Sequence, residues 1–172
     1  DVLNDFYSPE GYHTTKGGKD TSLLRETLPA FREFLNYVRE REMLVVHIPT
    51  PMTWGEVSPT RLRFRRNVYK NYELACERGT WGAEFYEGFE PVGKELVVEK
   101  RVNSGFLNTK LADVLRSNGI RTAIVTGCVT DGCVYSTVEG ASDNGFYPVI
   151  PVNCVGAFTR ADHAIGLSML GA

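Results

Sequence analysis

The chain has 172 residues, a net charge of −2 and 42% apolar residues, which is typical of one globular domain with a single core. Nucleic-acid-binding proteins depend on clustered positive charge, so the near-neutral balance argues against that class. No apolar run approaches the length of a membrane span and no signal peptide is recognisable, so neither a membrane nor export is predicted. We expect a cytoplasmic protein with one domain over residues 1–172.

The four cysteines lie at positions 76, 128, 133 and 154. No two of them form a Cys-x-x-Cys pair, and no Cys/His cluster has the spacing of a zinc site. A chain of this length can hold a core without disulfides, so we interpret the thiols as reduced. A redox pair between Cys128 and Cys133 is an alternative that the spacing does not require.

The first half of the chain combines an irregular start with one clear helix. Residues 7–20 are rich in Gly, Tyr, Ser and Lys, which is typical of a loop. Apolar residues then recur at helical spacing from Leu24 to Val38, and Pro29 within this pattern predicts the start of the main helix. Residues 43–48 form a nearly continuous apolar run, which predicts a strand buried on both faces. Residues 49–95 hold most of the irregular structure.

Strands and helices alternate in the second half of the chain. We predict strands at residues 96–98, 124–126 and 147–152, and helices at about 108–118, after Cys133 and at about 160–170. This alternation predicts an α/β fold with three αβα layers, in which helices cover both faces of a mostly parallel sheet. Ligands of such folds bind beyond the carboxyl ends of the strands, where Asp1, Lys100 and Cys133 would lie if a strand preceded Asp1.

The segment IVTGCVTDGCVYSTV, residues 124–138, leads from a strand through a short turn to Cys133 and then into helical spacing. A cysteine in the first turn of a helix lies at the positive end of the helix dipole, beside N–H groups that have no partner within the helix. This position favours the thiolate, which is the reactive form. A free cysteine is more commonly a small buried apolar residue, and this segment alone favours neither interpretation.

Three separated segments carry a resemblance to a known family. DVLNDF at the start, KRVNSGFLNTKL from Lys100 and VTGCVTDGCV around Cys133 resemble, in order and separation, the motifs of the isochorismatase-like cysteine hydrolases. That family includes nicotinamidases, N-carbamoylsarcosine amidases and related small-amide hydrolases. The resemblance covers nearly the whole chain and implies the family's three-layer fold. It also implies a catalytic triad of Asp1, Lys100 and Cys133.

The resemblance assigns a task to each triad member. Lys100 and the helix N-terminus stabilise the Cys133 thiolate. Asp1 accepts the thiol proton, returns it to the leaving amine and then activates water against a thioester. The implied activity is hydrolysis of a C–N bond in a small linear amide or carbamoyl compound, with release of ammonia.

Finer features of the site are implied in the same way. The backbone N–H groups of Thr130 and Cys133 would form an oxyanion hole. A cis peptide bond is expected between Val129 and Thr130, within the turn before the cysteine. Independently of the resemblance, aromatic residues are candidate walls of the substrate pocket: Phe6, Trp81 and Phe106. For Trp81, a packing role is an equal alternative.

Departures from the family pattern reduce the number of family reactions that we expect this chain to catalyse. Nicotinamidases bind a metal through a histidine-rich loop after the second strand, whereas residues 47–54 here contain only His47. His13 and His163 are too isolated to be ligands, so we expect no metal site and no cofactor. True isochorismatases cleave a vinyl ether without a thiol, so Cys133 favours C–N hydrolysis. The segment PVNCVG, residues 151–156, resembles the N-carbamoylsarcosine and maleamate amidase branch.

Two other functions stay open as alternatives. The chain could be a non-catalytic, redox-responsive binding member of the family, or a vinyl-ether hydrolase. The resemblance also implies a strand before Asp1, so we expect the working protein to be longer than this segment.

The expected partners are a small-molecule amide and further copies of the chain, but neither nucleic acid nor a membrane. The run RLRFRR, residues 61–66, is interpreted as a solvated or subunit-contacting surface, with recognition of an anionic substrate as the alternative. Together with the family resemblance, it predicts a symmetric dimer or tetramer.

The expected lack of a metal site leads to a direct test. Incubation with EDTA followed by gel filtration should leave the rate of amide hydrolysis unchanged, because no step of the expected reaction needs a Lewis acid. Ammonia release before and after chelation measures this. An activity that EDTA removes and zinc or iron restores would contradict the prediction.

Overall fold

The computed structural model describes residues 1–60, 63 and 73–171. In these ranges the α-helices are α1 (Asn4–Tyr7), α2 (Tyr12–Thr15), α3 (Ser22–Glu26), α4 (Leu28–Glu40), α5 (Leu111–Ser117), α6 (Tyr135–Asp143) and α7 (Arg160–Met169). The strands are β1 (Val46–His47), β2 (Leu96–Val97), β3 (Thr122–Ile124), β4 (Gly127–Cys128), β5 (Tyr147–Val149) and β6 (Val155–Gly156). Short 3₁₀ turns cover Trp54–Glu56, Trp81–Ala83 and Val152–Cys154, and a π-helical turn covers Thr130–Val134.

The strands pair in parallel. β1 pairs with β2, with Val46 opposite Leu96. β3 pairs with β5, and after a short interruption β4 pairs with β6. Parallel neighbours need long crossover connections, and α6 lies in the connections from β3 to β5 and from β4 to β6. This arrangement confirms the predicted α/β fold.

Helices pack on both sides of β1 and its flanking residues. Val45 contacts a core cluster that contains Leu35 and Val38 of α4. Leu44 and Val46 contact a second cluster, which contains Leu115 of α5. Because successive side chains of a strand point to opposite faces, the two clusters lie in separate layers above and below the sheet. A largely apolar cavity of about 380 Å³ is lined by residues of both β1 and β3, and by Asp1.

Most predicted elements are present with shifted bounds. The main helix begins at Leu28 and has Pro29 in its first turn, as predicted. Gly119 and Gly145 follow α5 and α6 at φ +69° and +82°, a conformation that suits glycine at helix ends. The strand predicted at residues 43–48 is shorter, because ladder pairing with β2 extends only over Val46–His47.

The loop predicted over residues 7–20 was wrong in part. Helix α2 lies inside it, and α1 ends at Tyr7. The Tyr12 amide donates a hydrogen bond to Asp5 Oδ1 at 2.8 Å. This hydrogen bond comes from a residue outside α2 and stabilises its first turn. A segment whose composition is typical of a loop therefore forms a helical turn there.

The sequence predicts a solvated or subunit-contacting surface at the arginine-rich run. The arginine-rich run at residues 61–66 lies outside the described residues, apart from Arg63, which is exposed. In the described part of the chain no helix is both long enough and apolar enough to cross a bilayer.

A partly buried carboxylate, that of Glu95, joins α4 to the sheet. Glu95 accepts hydrogen bonds from Arg39 Nε at 2.7 Å and from the Val92 amide at 2.9 Å, and its Oε2 lies 2.7 Å from His47 Nε2. The hydrogen bonds from Arg39 are the largest cause that lowers the pKa of Glu95 to about 2, with burial opposing them. Burial lowers the pKa of His47, so the neutral ring donates to the carboxylate.

Removing the negative charge of Glu95 should lower the stability of the folded protein. We expect Glu95→Gln to lower the free energy of unfolding near neutral pH by about 2 kcal/mol, since hydrogen bonds to a charged group are lost. The folded-state pKa lies below the ordinary value of 4.5. The carboxylate's contribution is therefore complete above pH 4.5 and disappears as the pH falls from 4.5 toward 2.

Urea unfolding across that pH range measures the effect, with the exposed Glu33→Gln as the matched control. A difference between wild type and Glu95→Gln that stayed constant across the window would contradict the assignment.

Candidate functional site

The backbone of Asp1 is held against β4. Leu3 forms an antiparallel bridge with Phe85, which fixes the segment that follows Asp1. The Cys128 thiol donates a hydrogen bond to the Asp1 carbonyl oxygen at 3.0 Å. Gly127 adopts φ +107°, and a Cβ there would lie 3.4 Å from the Asp1 nitrogen. Glycine therefore permits both the backbone conformation of the turn and the close approach of Asp1.

Asp1 and Lys100 form a buried ion pair. Lys100 Nζ lies 2.6 Å from Asp1 Oδ2, and the two side chains are 2% and 0% exposed. The ammonium group also donates to the carbonyl oxygens of Val102 at 3.3 Å and Asn103 at 3.2 Å. Apart from the ion pair, neither carboxylate oxygen has a hydrogen-bond partner in the described part of the chain. Asp1 Oδ1 is therefore open to accept a proton.

Cys133 lies in the π-helical turn Thr130–Val134, which continues directly into α6. The amides of Gly132 and Val134 both donate to the Val129 carbonyl, at 2.9 and 3.1 Å. N–H groups in the first turn of a helix have no acceptor within it. The Thr130 and Cys133 amides belong to this first turn.

The cis peptide bond predicted between Val129 and Thr130 is wrong by one position. The structure has it between Cys128 and Val129. Val129 is extended, with φ −98° and ψ 147°, and leads into Thr130, the first residue of the helical turn. The cis bond therefore joins the end of β4 to this extended residue.

The four cysteines are free thiols that differ in burial. Cys133 is half-buried, whereas the other three are buried. Burial raises the pKa of Cys128 to about 12, and the pKa of Cys76 well above its ordinary value. Burial also raises the pKa of Cys154. These three thiols stay protonated near neutral pH, which leaves Cys133 as the accessible sulfur.

The contacts of Asp1 connect the ion pair to the turn of Cys133. Asp1 lies against Gly127 and Cys128 of β4, and the turn that carries Cys133 begins two residues after this strand, at Thr130. The carboxylate and the ammonium therefore lie beside the strand that leads to the half-buried thiol.

The predicted pocket aromatics lie in different surroundings. Phe106 lines the same cavity as Asp1 and packs against Phe146 at a ring distance of 5.8 Å. Phe6 is buried and lies 4.5 Å from the His13 ring. Trp81 is 47% exposed, in its own 3₁₀ turn.

Two residues of α7 contact the turn, and neither was predicted as a site residue. His163 Nδ1 lies 2.8 Å from the hydroxyl of Thr130, which is fully buried. Gly166 lies against the backbone of Thr130 and Asp131. In the sequence His163 was considered only as a metal ligand, and the described residues contain no group of three His, Cys, Asp or Glu side chains suited to a metal ion.

The chain is similar to several known proteins. Ureidoacrylate amidohydrolase RutB of Agrobacterium fabrum is 25% identical over 161 residues, which span 86% of this chain and 70% of that protein. N-carbamoylsarcosine amidase of an Arthrobacter species is 34% identical over 110 residues, or 54% of this chain and 42% of that protein. The match thus spans less than half of the second relative.

The solved structure of an isochorismatase-like hydrolase from Alkaliphilus metalliredigens has the same fold, with a TM-score of 0.79 and 27% identity. The alignment covers 99% of this chain and 86% of that one. These similarities confirm the predicted fold and family. The isochorismatase domain model matches residues 1–172, and the chain belongs to the isochorismatase family.

Proposed function

We propose that the chain hydrolyses the C–N bond of a small linear amide or carbamoyl compound through a thioester on Cys133. The observation that carries the proposal is the buried Asp1–Lys100 ion pair, beside the strand that leads into the turn of the half-buried Cys133 thiol. Membership of the isochorismatase family supports it. So do the names of two relatives, a ureidoacrylate amidohydrolase and an N-carbamoylsarcosine amidase.

The first half of the reaction forms the thioester. Asp1 Oδ1, which has no hydrogen-bond partner in the described part of the chain, accepts the thiol proton of Cys133. The sulfur attacks the amide carbonyl carbon, and the carbonyl oxygen becomes an oxyanion. The N–H groups of Thr130 and Cys133, in the first turn of the helix, stabilise this oxyanion. The C–N bond then breaks as Asp1 returns the proton to the leaving nitrogen.

The second half of the reaction releases the acid. Asp1, again a carboxylate, takes a proton from a water molecule, whose oxygen attacks the thioester carbon. The S–C bond breaks, and Cys133 leaves as a thiolate that recovers its proton from Asp1. The products are a carboxylic or carbamic acid and ammonia or an amine. Every proton passes through one carboxylate, so the position of that carboxylate is central to the reaction.

Lys100 contributes charge and position. Its ammonium keeps Asp1 ionised at the start, because an opposite charge at hydrogen-bond distance favours the carboxylate. It also favours the Cys133 thiolate once the proton has moved. The hydrogen bonds to Val102 and Asn103 hold the ammonium in place, so its field acts from a defined point.

The decisive experiment replaces the sulfur. We expect Cys133→Ser to stay folded and to lose turnover by on the order of 10³-fold or more, because a hydroxyl ionises far less readily than a thiol. Ammonia release from a panel of small amides and ureido acids measures turnover. Cys154→Ser is the matched control, since it makes the same change at a buried thiol and should retain kcat.

Alkylation tests the same sulfur without a substrate. Iodoacetamide should modify Cys133 faster than the three buried cysteines. Lys100→Met should slow that reaction, and should lower the free energy of unfolding by about 3–5 kcal/mol because the buried Asp1 carboxylate loses its ion-pair partner. The exposed Lys94→Met should change neither quantity. Equal reactivity of all four thiols, with full turnover in Cys133→Ser, would refute the mechanism. An inactive wild type with a reversible Cys128–Cys133 disulfide would favour a redox-responsive binding protein.

We further propose that the chain works as a cytoplasmic dimer or tetramer. The arginine-rich run of residues 61–66 supports a subunit contact, since charged side chains around an aromatic suit an interface rim. Light scattering at micromolar concentration should therefore give a mass of at least two chains. A monomeric mass under those conditions would contradict the proposal.

A further inference from the structure

Helix α7 lies directly on the turn that carries Cys133. The Thr130 hydroxyl is fully buried and lies 2.8 Å from His163 Nδ1. A buried hydroxyl needs a partner, and this ring nitrogen supplies one whichever of the two atoms donates. The first residue of the turn is thereby bound to a helix that begins 30 residues later, at Arg160.

A second contact lies one helical turn further along α7. A Cβ built on Gly166 would lie 2.8 Å from both the Asp131 nitrogen and the Thr130 carbonyl carbon. Real Cβ atoms do not approach so closely, so any side chain here would displace the helix or the turn. The α7 backbone therefore touches the peptide unit between Thr130 and Asp131.

The helix that makes these contacts is itself anchored. Its N-cap residue Thr159 accepts a hydrogen bond from the Asp162 amide at 3.0 Å, which fixes the first turn. Leu167 and Leu170 pack against a core cluster that contains Val134 and Val138. Helix α7 is thus tied to α6 by apolar contacts and to the turn by His163 and Gly166.

We propose that His163 is a positioning residue, which orients the oxyanion-binding N–H groups of the Cys133 turn by holding the Thr130 side chain. This inference rests on the proposed function, because the proposed hydrolysis is the reaction in which those N–H groups bind an oxyanion. The hydroxyl held by His163 and the Thr130 amide belong to the same residue, so restraining the side chain limits how far the backbone that carries the amide can move. Gly166 supports this role, because it lets the α7 backbone contact the peptide bond between Thr130 and Asp131.

This role predicts an effect on kcat and little effect on the thiol. Displacing catalytic groups by a fraction of an ångström to 1 Å costs roughly ten- to a hundredfold in rate. The thiolate is stabilised by Lys100, which His163 does not contact. Loss of His163 should therefore lower kcat with KM nearly unchanged, and Cys133 should alkylate at about the wild-type rate.

The test compares two substitutions at one position. In His163→Asn the terminal side-chain atoms are bonded to Cγ, as Nδ1 is in histidine, so an atom able to hydrogen-bond to Thr130 remains. His163→Leu removes that atom. Gly166→Ala disturbs the second contact, and Ser168→Ala, on the exposed side of the same helix, is the control.

Two readouts are needed, and one is independent of catalysis. Amide hydrogen exchange of residues 130–134 should accelerate roughly tenfold in His163→Leu and Gly166→Ala, and stay near wild type in His163→Asn and Ser168→Ala. Steady-state kinetics should show the tenfold or greater loss of kcat in the same two variants, measured well below their melting temperatures.

Equal amide exchange rates in all four variants would show that the contacts of His163 and Gly166 do not restrain the turn, which would overturn the proposal. A wild-type kcat in folded His163→Leu would overturn the role of His163 in positioning. An equal loss of kcat in His163→Asn and His163→Leu would also overturn it, since a hydrogen bond should be rescued. Failure of the wild-type chain to hydrolyse any amide would instead refute the proposed function. The exchange experiment needs no substrate and separates the two failures.

Discussion

A buried ion pair between Asp1 and Lys100 is the interaction around which the candidate site is built. Both charges are removed from water, which costs several kcal/mol per ion unless geometry and hydrogen bonds compensate. The 2.6 Å approach and the two carbonyls that accept from Lys100 provide this compensation. The pair therefore ties the start of the chain to the loop after β2. It also keeps the carboxylate beside β4, the strand that leads into the turn of Cys133.

Part of this site could be predicted because its signals are local. Asp1, Lys100 and Cys133 each belong to a short segment whose residue types resemble a family motif. The alternation of apolar strands and helices likewise predicted the α/β fold, which the parallel strand pairs confirm. Pro29 marked a helix start correctly, because its fixed φ and missing N–H suit a first turn regardless of distant contacts.

Features that depend on distant contacts were missed or misplaced. The Thr130–His163 hydrogen bond joins positions 33 residues apart, and no local pattern relates a threonine in a turn to a histidine in a later helix. Helix α2 depends on a carboxylate seven residues earlier. The cis bond lies one residue before its predicted place.

Asp5 has a consequence for how the site could change during evolution. Its carboxylate accepts from the amides of Tyr12 and Cys76, at 2.8 and 2.5 Å, and a Cβ on Gly82 would collide with it. One side chain thus fastens the segments around Tyr12 and Cys76 to the helix that follows Asp1. Substitutions that reshape those segments would displace the Asp1 carboxylate through the helix that Asp5 holds. New specificity should therefore arise more readily in loops that Asp5 does not hold.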